Sequence, residues 1–168
     1  MNLINVGKLV NTHGIKGEVR IISTFKYKRD VFKVDNALYI NNNKYIIKSH
    51  RVHKMYDMVT LDGIKGIDEA LPLKGNNVYI NRDDYNFNGY LNEDLIGLEV
   101  YDNDTYKGKV TDILESIKYD ILVIDGIKRH LVPNISNFIK KVDLDNNKLY
   151  INYIEGLDNE DWYFNTFS

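Results

Sequence analysis

Apolar and polar residues alternate along most of the N-terminal half of the chain, and a period of two is typical of β-strands with one buried face. Turns rich in glycine, asparagine or aspartate separate the alternating runs. Strands are predicted in this half at residues 3–10, 18–25, 37–40, 44–53, 58–61 and 77–80. The segment 68–71 begins with two acidic residues and stops near Pro72, which indicates one helical turn. Short strands in this number favour a small closed barrel, because closure leaves no strand edge unpaired.

The C-terminal half shows the same pattern after an opening segment at 94–100 and a turn at 102–105. Strands are predicted there at residues 108–114, 121–124, 130–132, 142–144 and 149–154. The spacing of Ile135, Phe138 and Ile139 is that of one helical turn. These elements predict a second small β-barrel, so the predicted fold class is mainly β, with two small β-barrels joined by a short linker and one or two short helical turns.

The segment 84–92 interrupts the alternation, is polar and contains Gly89, and it is therefore predicted to link the two barrels. The predicted domains are residues 1–83 and 93–157, followed by an acidic and aromatic tail at 158–168. The linker also carries large apolar side chains that either pack back onto one of the barrels or bind a partner, namely Tyr85, Phe87, Tyr90 and Leu91.

The composition is that of a globular protein and excludes several other classes. Hydrophobic residues make up 43% of the 168 residues, enough for a packed core, and the absence of cysteine excludes disulfides and thiolate metal ligands. The first ten residues lack the cationic region and apolar run of a signal peptide, and no apolar run reaches the ~18 residues of a membrane-spanning helix. A soluble, cytoplasmic protein without membrane contact is expected.

Charge is divided unequally between the two halves. Residues 1–83 contain 14 Lys and Arg against 8 Asp and Glu, whereas residues 84–168 contain 8 against 16. The halves therefore carry net charges of +6 and −8, although the whole chain carries only −2. This separation indicates either that the basic half contacts nucleic acid and the acidic half a basic protein, or that the two halves attract each other.

A hairpin at residues 7–20 carries the most distinctive local chemistry. Gly14 and Gly17 can both adopt positive φ without steric cost, so the chain can turn sharply between the flanking strands. The bend displays His13, Lys16 and Arg20, which can donate hydrogen bonds and are mostly cationic. The hairpin is therefore either a phosphate-contacting element or an ordinary solvated turn.

A second basic segment lies at residues 49–54. His50 and His53 are three residues apart, which on a strand sends their side chains to opposite faces, so the pair is not expected to bind a metal ion. Arg51 and Lys54 instead fit a basic strand edge or loop that contacts phosphate, with a solvated face as the alternative.

No catalytic constellation emerges from the sequence. It contains no phosphate-binding loop, no glycine-rich dinucleotide motif in a βαβ context and no nucleophile elbow, and no two carboxylates can be assigned to acid/base catalysis. The prediction is a non-enzymatic protein with no catalytic residue, no metal, no cofactor and no small-molecule substrate.

The hairpin resembles the N-terminal signature of the RimM family of bacterial 16S rRNA maturation factors, whose pattern is Gly-x-x-x-x-x-His-Gly-x-x-Gly-Glu-Val. The matching residues are Gly7, His13, Gly14, Gly17, Glu18 and Val19. The segment 68–75 is also similar to the corresponding part of the family.

The second half resembles the PRC barrel that follows this domain in RimM proteins. Three segments carry the likeness, at residues 94–97, 108–114 and 131–143. The chain has Leu-Val-Pro at 131–133 where the family has Leu-Ile-Pro, and Tyr-Asp at 119–120 where Asn-Asp is common. The family's adjacent tyrosines, linked to binding of a ribosomal protein, align with Tyr90 and Leu91, so half of that aromatic pair is missing.

The resemblance covers residues 3–157 and implies a factor that binds the immature small ribosomal subunit near its head and assists late assembly and rRNA processing. Its partners would be 16S rRNA and the nineteenth small-subunit ribosomal protein, and a monomer is expected. The residues assigned to RNA binding are His13, Lys16, Arg20, Arg51 and Lys54. The residues assigned to the protein partner are Tyr90, Leu91 and Asp94. A general RNA-binding module and an RNA-processing hydrolase are the alternatives.

Overall fold

A computed structural model describes residues 1–116 and 118–152 of the chain. The chain divides into two compact units, Met1–Asn88 and Gly89–Ser168. In the described residues, the strands of each unit form one six-stranded sheet, and helices are short. The predicted fold class, mainly β with two small strand-built domains, is confirmed. Of the two predicted barrels, the first is a closed barrel, and in the described residues the second is a six-stranded sheet.

The first unit is a closed antiparallel barrel. Its strands are β1 (Leu3–His13), β2 (Glu18–Ile22), β3 (Ala37–Ile40), β4 (Asn43–His53), β5 (Tyr56–Leu61) and β6 (Asn77–Asn81). Neighbouring strands follow the order β1-β2-β5-β4-β3-β6, and β6 pairs with β1 to close the barrel. Val19, Ile21 and Ile80 have no exposed surface, because alternate residues of each strand point into the core.

Short helices fill the connections of this barrel. Helix α2 (Ile67–Ala70) continues into a 3-10 turn at Leu71–Leu73, which agrees with the helical turn predicted at 68–71. Helix α1 (Lys28–Val31) was not predicted, and β2 ends at Ile22 before it.

The end of the first unit folds back onto the barrel. Phe87 is only 7% exposed and stacks on Tyr27 and on Tyr85, with ring centroids 4.7 and 5.1 Å apart. Burial raises the pKa of the Tyr85 hydroxyl to about 12. The apolar residues of the predicted linker were expected either to pack onto a barrel or to bind a partner. Phe87 packs onto the barrel.

The second unit contains helix α3 (Asn92–Leu95) and a sheet in the order β10-β9-β8-β7-β12-β11. Its strands are β7 (Glu99–Asp102), β8 (Thr105–Leu114), β9 (Ile121–Asp125), β10 (Arg129–Pro133), β11 (Ile139–Asp143) and β12 (Lys148–Ile151). Strands β7 and β12 pair in parallel, whereas the other neighbours are antiparallel.

The buried residues of this unit form two clusters. The larger includes Val100, Leu122 and Leu149, which are fully buried, and a smaller one of Ile121, Val123 and Leu131 alternates with it along β9. The helical turn predicted from Ile135 to Ile139 is present, since the Ile139 N–H donates to the Ile135 carbonyl at 2.9 Å. The predicted tail at 158–168 lies outside the described residues. In the part of the chain that is described, no helix is long and apolar enough to cross a membrane.

Candidate nucleic-acid interface

The turn between β1 and β2 has the sharp geometry that its glycines predict. Gly14 and Gly17 have φ of 76° and 81°, in the region that favours glycine. A Cβ on Gly17 would lie 2.7 Å from the Gly66 carbonyl oxygen, whereas a Cβ on Gly14 would meet no atom within 4 Å. The Ile67 N–H also donates to the Ile15 carbonyl at 3.2 Å. The turn is therefore held against the segment that leads into α2.

Three of the five residues predicted to bind RNA lie together on the outer face of the barrel. Val19 and Ile21 point into the core, so Glu18 and Arg20 on the same strand point outward. In the cross-strand register, His13 of β1 lies opposite Glu18 of β2. Strand β5 lies between β2 and β4. Its residue Met58 is paired in the register with Arg20 of β2 and with Arg51 of β4. We call this surface, formed by His13, Glu18, Arg20, Arg51 and Tyr56, the barrel face.

Arg20 is positioned by two neighbours on this face. Its Nη2 donates to His13 Nδ1 at 2.9 Å, and its guanidinium carbon lies 5.7 Å from the centroid of the Tyr56 ring. Because arginine can only donate, His13 Nδ1 is the acceptor and the proton of a neutral imidazole is on Nε2. The arrangement leaves Nε2 as a donor suited to a phosphate oxygen.

Arg51 is paired within the protein, which the sequence did not predict. Its Nη2 and Nε donate to the two carboxylate oxygens of Glu18 at 2.7 and 3.1 Å. The hydrogen bonds from Arg51 hold the pKa of the Glu18 carboxyl below its usual range. Half of the Arg51 side chain remains exposed to solvent. Glu18 therefore compensates the charge of the guanidinium group but does not bury the Arg51 side chain.

The two predicted lysines lie at opposite ends of the barrel face. Lys16 is exposed in the turn between β1 and β2, and Lys54 is exposed in the turn between β4 and β5, where its φ is 55°. The pairing of β2 with β5 runs from Val19 to Ile22. The turn with Lys16 lies past its Val19 end, and the turn with Lys54 lies past its Ile22 end. The five predicted residues therefore border one surface, but the lysines do not approach each other.

His50 belongs to the barrel interior rather than to this face. Its Nε2 lies 2.8 Å from Oδ1 of Asp57, which is 2% exposed, and Lys28 Nζ lies 3.4 Å from Oδ2. The ring of Phe32 stacks on His50 with centroids 6.1 Å apart. The cluster fastens α1 to the barrel wall. Within residues 1–116 and 118–152, no group of three His, Cys, Asp or Glu could hold a metal ion.

The residues predicted to bind a protein partner have mixed surroundings. Tyr90 is half-buried against the core of the second unit, while Leu91 is only 4% exposed. The Asp94 carboxylate accepts a hydrogen bond from the Leu91 N–H at 2.8 Å, which caps helix α3. Leu91 therefore exposes little apolar surface to a partner, and the assignment of Tyr90, Leu91 and Asp94 to a protein partner stays a prediction.

Two family models match the chain. The model of the RimM N-terminal domain matches residues 4–85, and that of the RimM PRC barrel domain matches residues 92–157. The ribosome maturation factor RimM of Ligilactobacillus salivarius is 40% identical over 168 residues, covering 94% of this chain and 100% of the relative. That of Staphylococcus aureus (strain bovine RF122 / ET3-1) is 40% identical over 163 residues, covering 92% and 98%.

Solved structures are similar as well. A putative 16S ribosomal RNA processing protein RimM from Pseudomonas aeruginosa is 22% identical, with a TM-score of 0.44, and covers 91% of this chain and 98% of that one. The N-terminal domain of RimM from Thermus thermophilus is 19% identical, with a TM-score of 0.45, covering 52% and 98%.

Proposed function

The chain belongs to the RimM family of ribosome maturation factors, and from that premise we propose that it binds the immature small ribosomal subunit near its head and assists late assembly and 16S rRNA processing. Its partners there are 16S rRNA and the nineteenth small-subunit ribosomal protein. It acts as a monomer in the cytoplasm and catalyses no reaction.

The observation that carries the proposal is the barrel face, where Arg20 and Arg51 lie on either side of Met58. Guanidinium groups bind phosphate oxygens through hydrogen bonds, Arg51 has N–H groups beyond the two that it donates to Glu18, and His13 adds a donor beside Arg20. Lys16 and Lys54 extend the positive charge beyond both ends of the face. Such contacts fix the position of a protein on RNA without reading its sequence, and they weaken steeply with salt.

The acidic second half supplies the other contact. Its net charge of −8 over residues 84–168 attracts a lysine- and arginine-rich ribosomal protein and raises the rate of encounter. Tyr90 is the aromatic anchor of this contact, since aromatic residues often dominate interface energies.

The mechanism we propose depends on binding alone. The factor stabilises one arrangement of rRNA and protein in the immature subunit, and it leaves when the mature subunit no longer offers that arrangement. This requires a higher affinity for immature than for mature particles, because a ligand shifts an equilibrium only by its differential affinity for the two states.

Sedimentation of the full chain with immature small subunits, mature small subunits and 70S ribosomes tests the proposal. We expect the chain to travel with the immature particles and to be depleted from the other two. Equal binding to naked 16S rRNA would instead indicate a general RNA-binding module. Turnover of an RNA substrate that stops on chelation of metal ions would indicate a hydrolase.

A further inference from the structure

The outer side of the sheet in the second unit carries two rows of aligned side chains across four adjacent strands. The first row runs Lys141, Tyr150, Tyr101 and Tyr106, in the cross-strand register of β11, β12, β7 and β8. The second row runs Asp143, Lys148, Glu99 and Lys109 across the same strands. Between them lie Leu149 and Val100, which belong to the larger core cluster, Val142, which packs against it, and Gly108; a β-bulge adds Lys107 between the two rows on β8. We call the surface formed by the two rows the tyrosine face.

The three tyrosines form a continuous aromatic strip. The ring centroids of Tyr101 and Tyr106 are 5.4 Å apart, and those of Tyr101 and Tyr150 are 6.2 Å apart. Tyr106 is 50% exposed, and the other two rings are partly exposed. Exposed rings next to one another on a sheet provide π-faces on which successive bases of a single strand can stack.

The local charge of this face differs from that of the half in which it lies. The two rows contain three of the eight Lys and Arg residues of the region 84–168, Lys109, Lys141 and Lys148, against two carboxylates. Glu99 lies between Lys109 and Lys148 in the register. The Asp143 carboxylate accepts hydrogen bonds from the Asn146 side chain at 2.8 Å and from its N–H at 3.2 Å. The Asp143 carboxylate is thus engaged in its own turn, and the two rows together carry a net charge of +1 within an acidic unit, with Asp125 opposite Lys109 on the adjoining β9.

We propose that the tyrosine face binds an unpaired segment of RNA, with bases stacked on Tyr101, Tyr106 and Tyr150 and with phosphates contacting Lys109 and Lys141. Nothing in the proposed function assigns this surface, which is distinct from the barrel face. The inference can therefore fail while the proposed function stands.

A basic peptide fits this surface less well than RNA. The Nζ of Lys148 already lies 5.3 Å from the centroid of the Tyr101 ring, so an incoming cation would compete with the protein's own lysine for that ring. A base that stacks on Tyr101 would displace Lys148 as well, but RNA also supplies a phosphate that the displaced ammonium can bind, whereas a basic peptide offers it no anion.

The test measures binding of a fluorescein-labelled ten-nucleotide oligoadenylate to the full chain by fluorescence anisotropy, over a series of salt concentrations. The variants are Tyr101→Ala and Tyr150→Ala, with Tyr101→Phe and Tyr150→Phe as matched controls that keep the ring. We expect each alanine variant to bind about 5- to 100-fold more weakly, and each phenylalanine variant to stay within about twofold of the parent. Thermal unfolding of every variant checks that the sheet is intact.

Two further arms separate stacking from charge. An abasic oligonucleotide of the same length should bind as weakly as oligoadenylate binds the alanine variants. Lys109→Gln with Lys141→Gln should lower the slope of log K against log salt by about 0.7 for each contact removed, whereas Lys128→Gln should leave it unchanged.

Several outcomes would overturn the inference. They are absence of binding by the parent chain, equal binding by the folded alanine variants, and equal binding of the abasic strand. Tyrosine-dependent binding of an octa-arginine peptide in place of RNA would assign the face to a basic protein instead. Loss of oligoadenylate binding in Arg20→Ala alone would assign the RNA to the barrel face and leave the proposed function standing.

Discussion

Arg51 and Glu18 are joined by two hydrogen bonds between side chains that lie 33 positions apart in the chain, Nη2 to Oε1 at 2.7 Å and Nε to Oε2 at 3.1 Å. A bidentate guanidinium–carboxylate pair fixes the plane of both groups. The pair joins β2 and β4 across the intervening β5 and holds the outer surface of the barrel in one arrangement.

The first prediction concerns this pair and pH. The pKa of Glu18 is lower in the folded chain than in the unfolded one, because Arg51 donates hydrogen bonds to the charged form. The pair therefore stabilises the fold above the unfolded pKa of glutamate, and this contribution is lost as the pH falls through the folded pKa. The Glu18→Gln variant lacks this stabilisation, so its free energy of unfolding should be lower than that of the parent at neutral pH and should approach the parent value in acid.

Urea denaturation of the parent and of the variant, from pH 7 to pH 3, measures the two free energies of unfolding. Parallel pH curves for the two proteins would contradict the assignment.

The second prediction tests the phosphate contacts of the barrel face. Lys16→Ala combined with Arg20→Ala should weaken binding to immature small subunits and should lower the slope of log K against log salt by about 1–2, because up to two phosphate contacts are lost. The matched control is Lys44→Ala with Lys48→Ala, which removes two exposed lysines elsewhere on the same barrel. An unchanged salt slope in the first double variant would remove the phosphate role of these residues.

The third prediction concerns the turn that presents Lys16. Gly14→Ala should lower the free energy of unfolding by about 1–2 kcal/mol, the usual strain of a side chain at positive φ. Gly17→Ala should cost more, because its Cβ would also lie 2.7 Å from the Gly66 carbonyl oxygen. Chemical denaturation of the two variants gives the comparison. Equal losses would mean that the turn moves away from the segment before α2 without cost.

The fourth prediction concerns the buried carboxylate of the barrel. Asp57→Ala leaves His50 and Lys28 without their acceptor and should lower the free energy of unfolding by about 2–4 kcal/mol. Asp57→Asn keeps one acceptor oxygen and should cost less. Asp62→Asn, on an exposed residue, serves as the control. A loss from Asp57→Ala no greater than that of the control would show that the cluster does not stabilise the barrel.

The fifth prediction separates packing from partner binding in the second unit. Leu91→Ala should lower the free energy of unfolding by about 2–4 kcal/mol, because it opens a cavity at a side chain that is 4% exposed. Leu91→Met keeps the volume, so it should bind the nineteenth ribosomal protein like the parent chain. Tyr90→Ala should weaken that binding at least about tenfold, and Tyr90→Phe should largely retain it. Calorimetric titration with the purified ribosomal protein measures the affinities. Parent-like affinity in a folded Tyr90→Ala would exclude Tyr90 as the anchor.

Strand positions and turns were largely predictable because they depend on neighbours a few residues apart. The period-two pattern located every strand of the barrel, and the glycines at 14 and 17 predicted the turn with positive φ that the structure contains. The parallel pairing of β7 with β12 was not predictable, because the four strands β8 to β11 lie between them in the chain. The alternating pattern of apolar and polar residues in each strand is compatible with several partner strands.

The sequence by itself determined the family, the mainly β character and the chemistry of the first hairpin, since each depends on residue identity at short spacing. Only the tertiary structure decided that Arg51 is paired with Glu18, that Leu91 is buried, and that three tyrosines from three strands share one face. These relationships depend on cross-strand register, in which a shift of one residue would turn every side chain to the opposite side. Register is fixed when the core packs and the barrel closes, and no local segment contains that information.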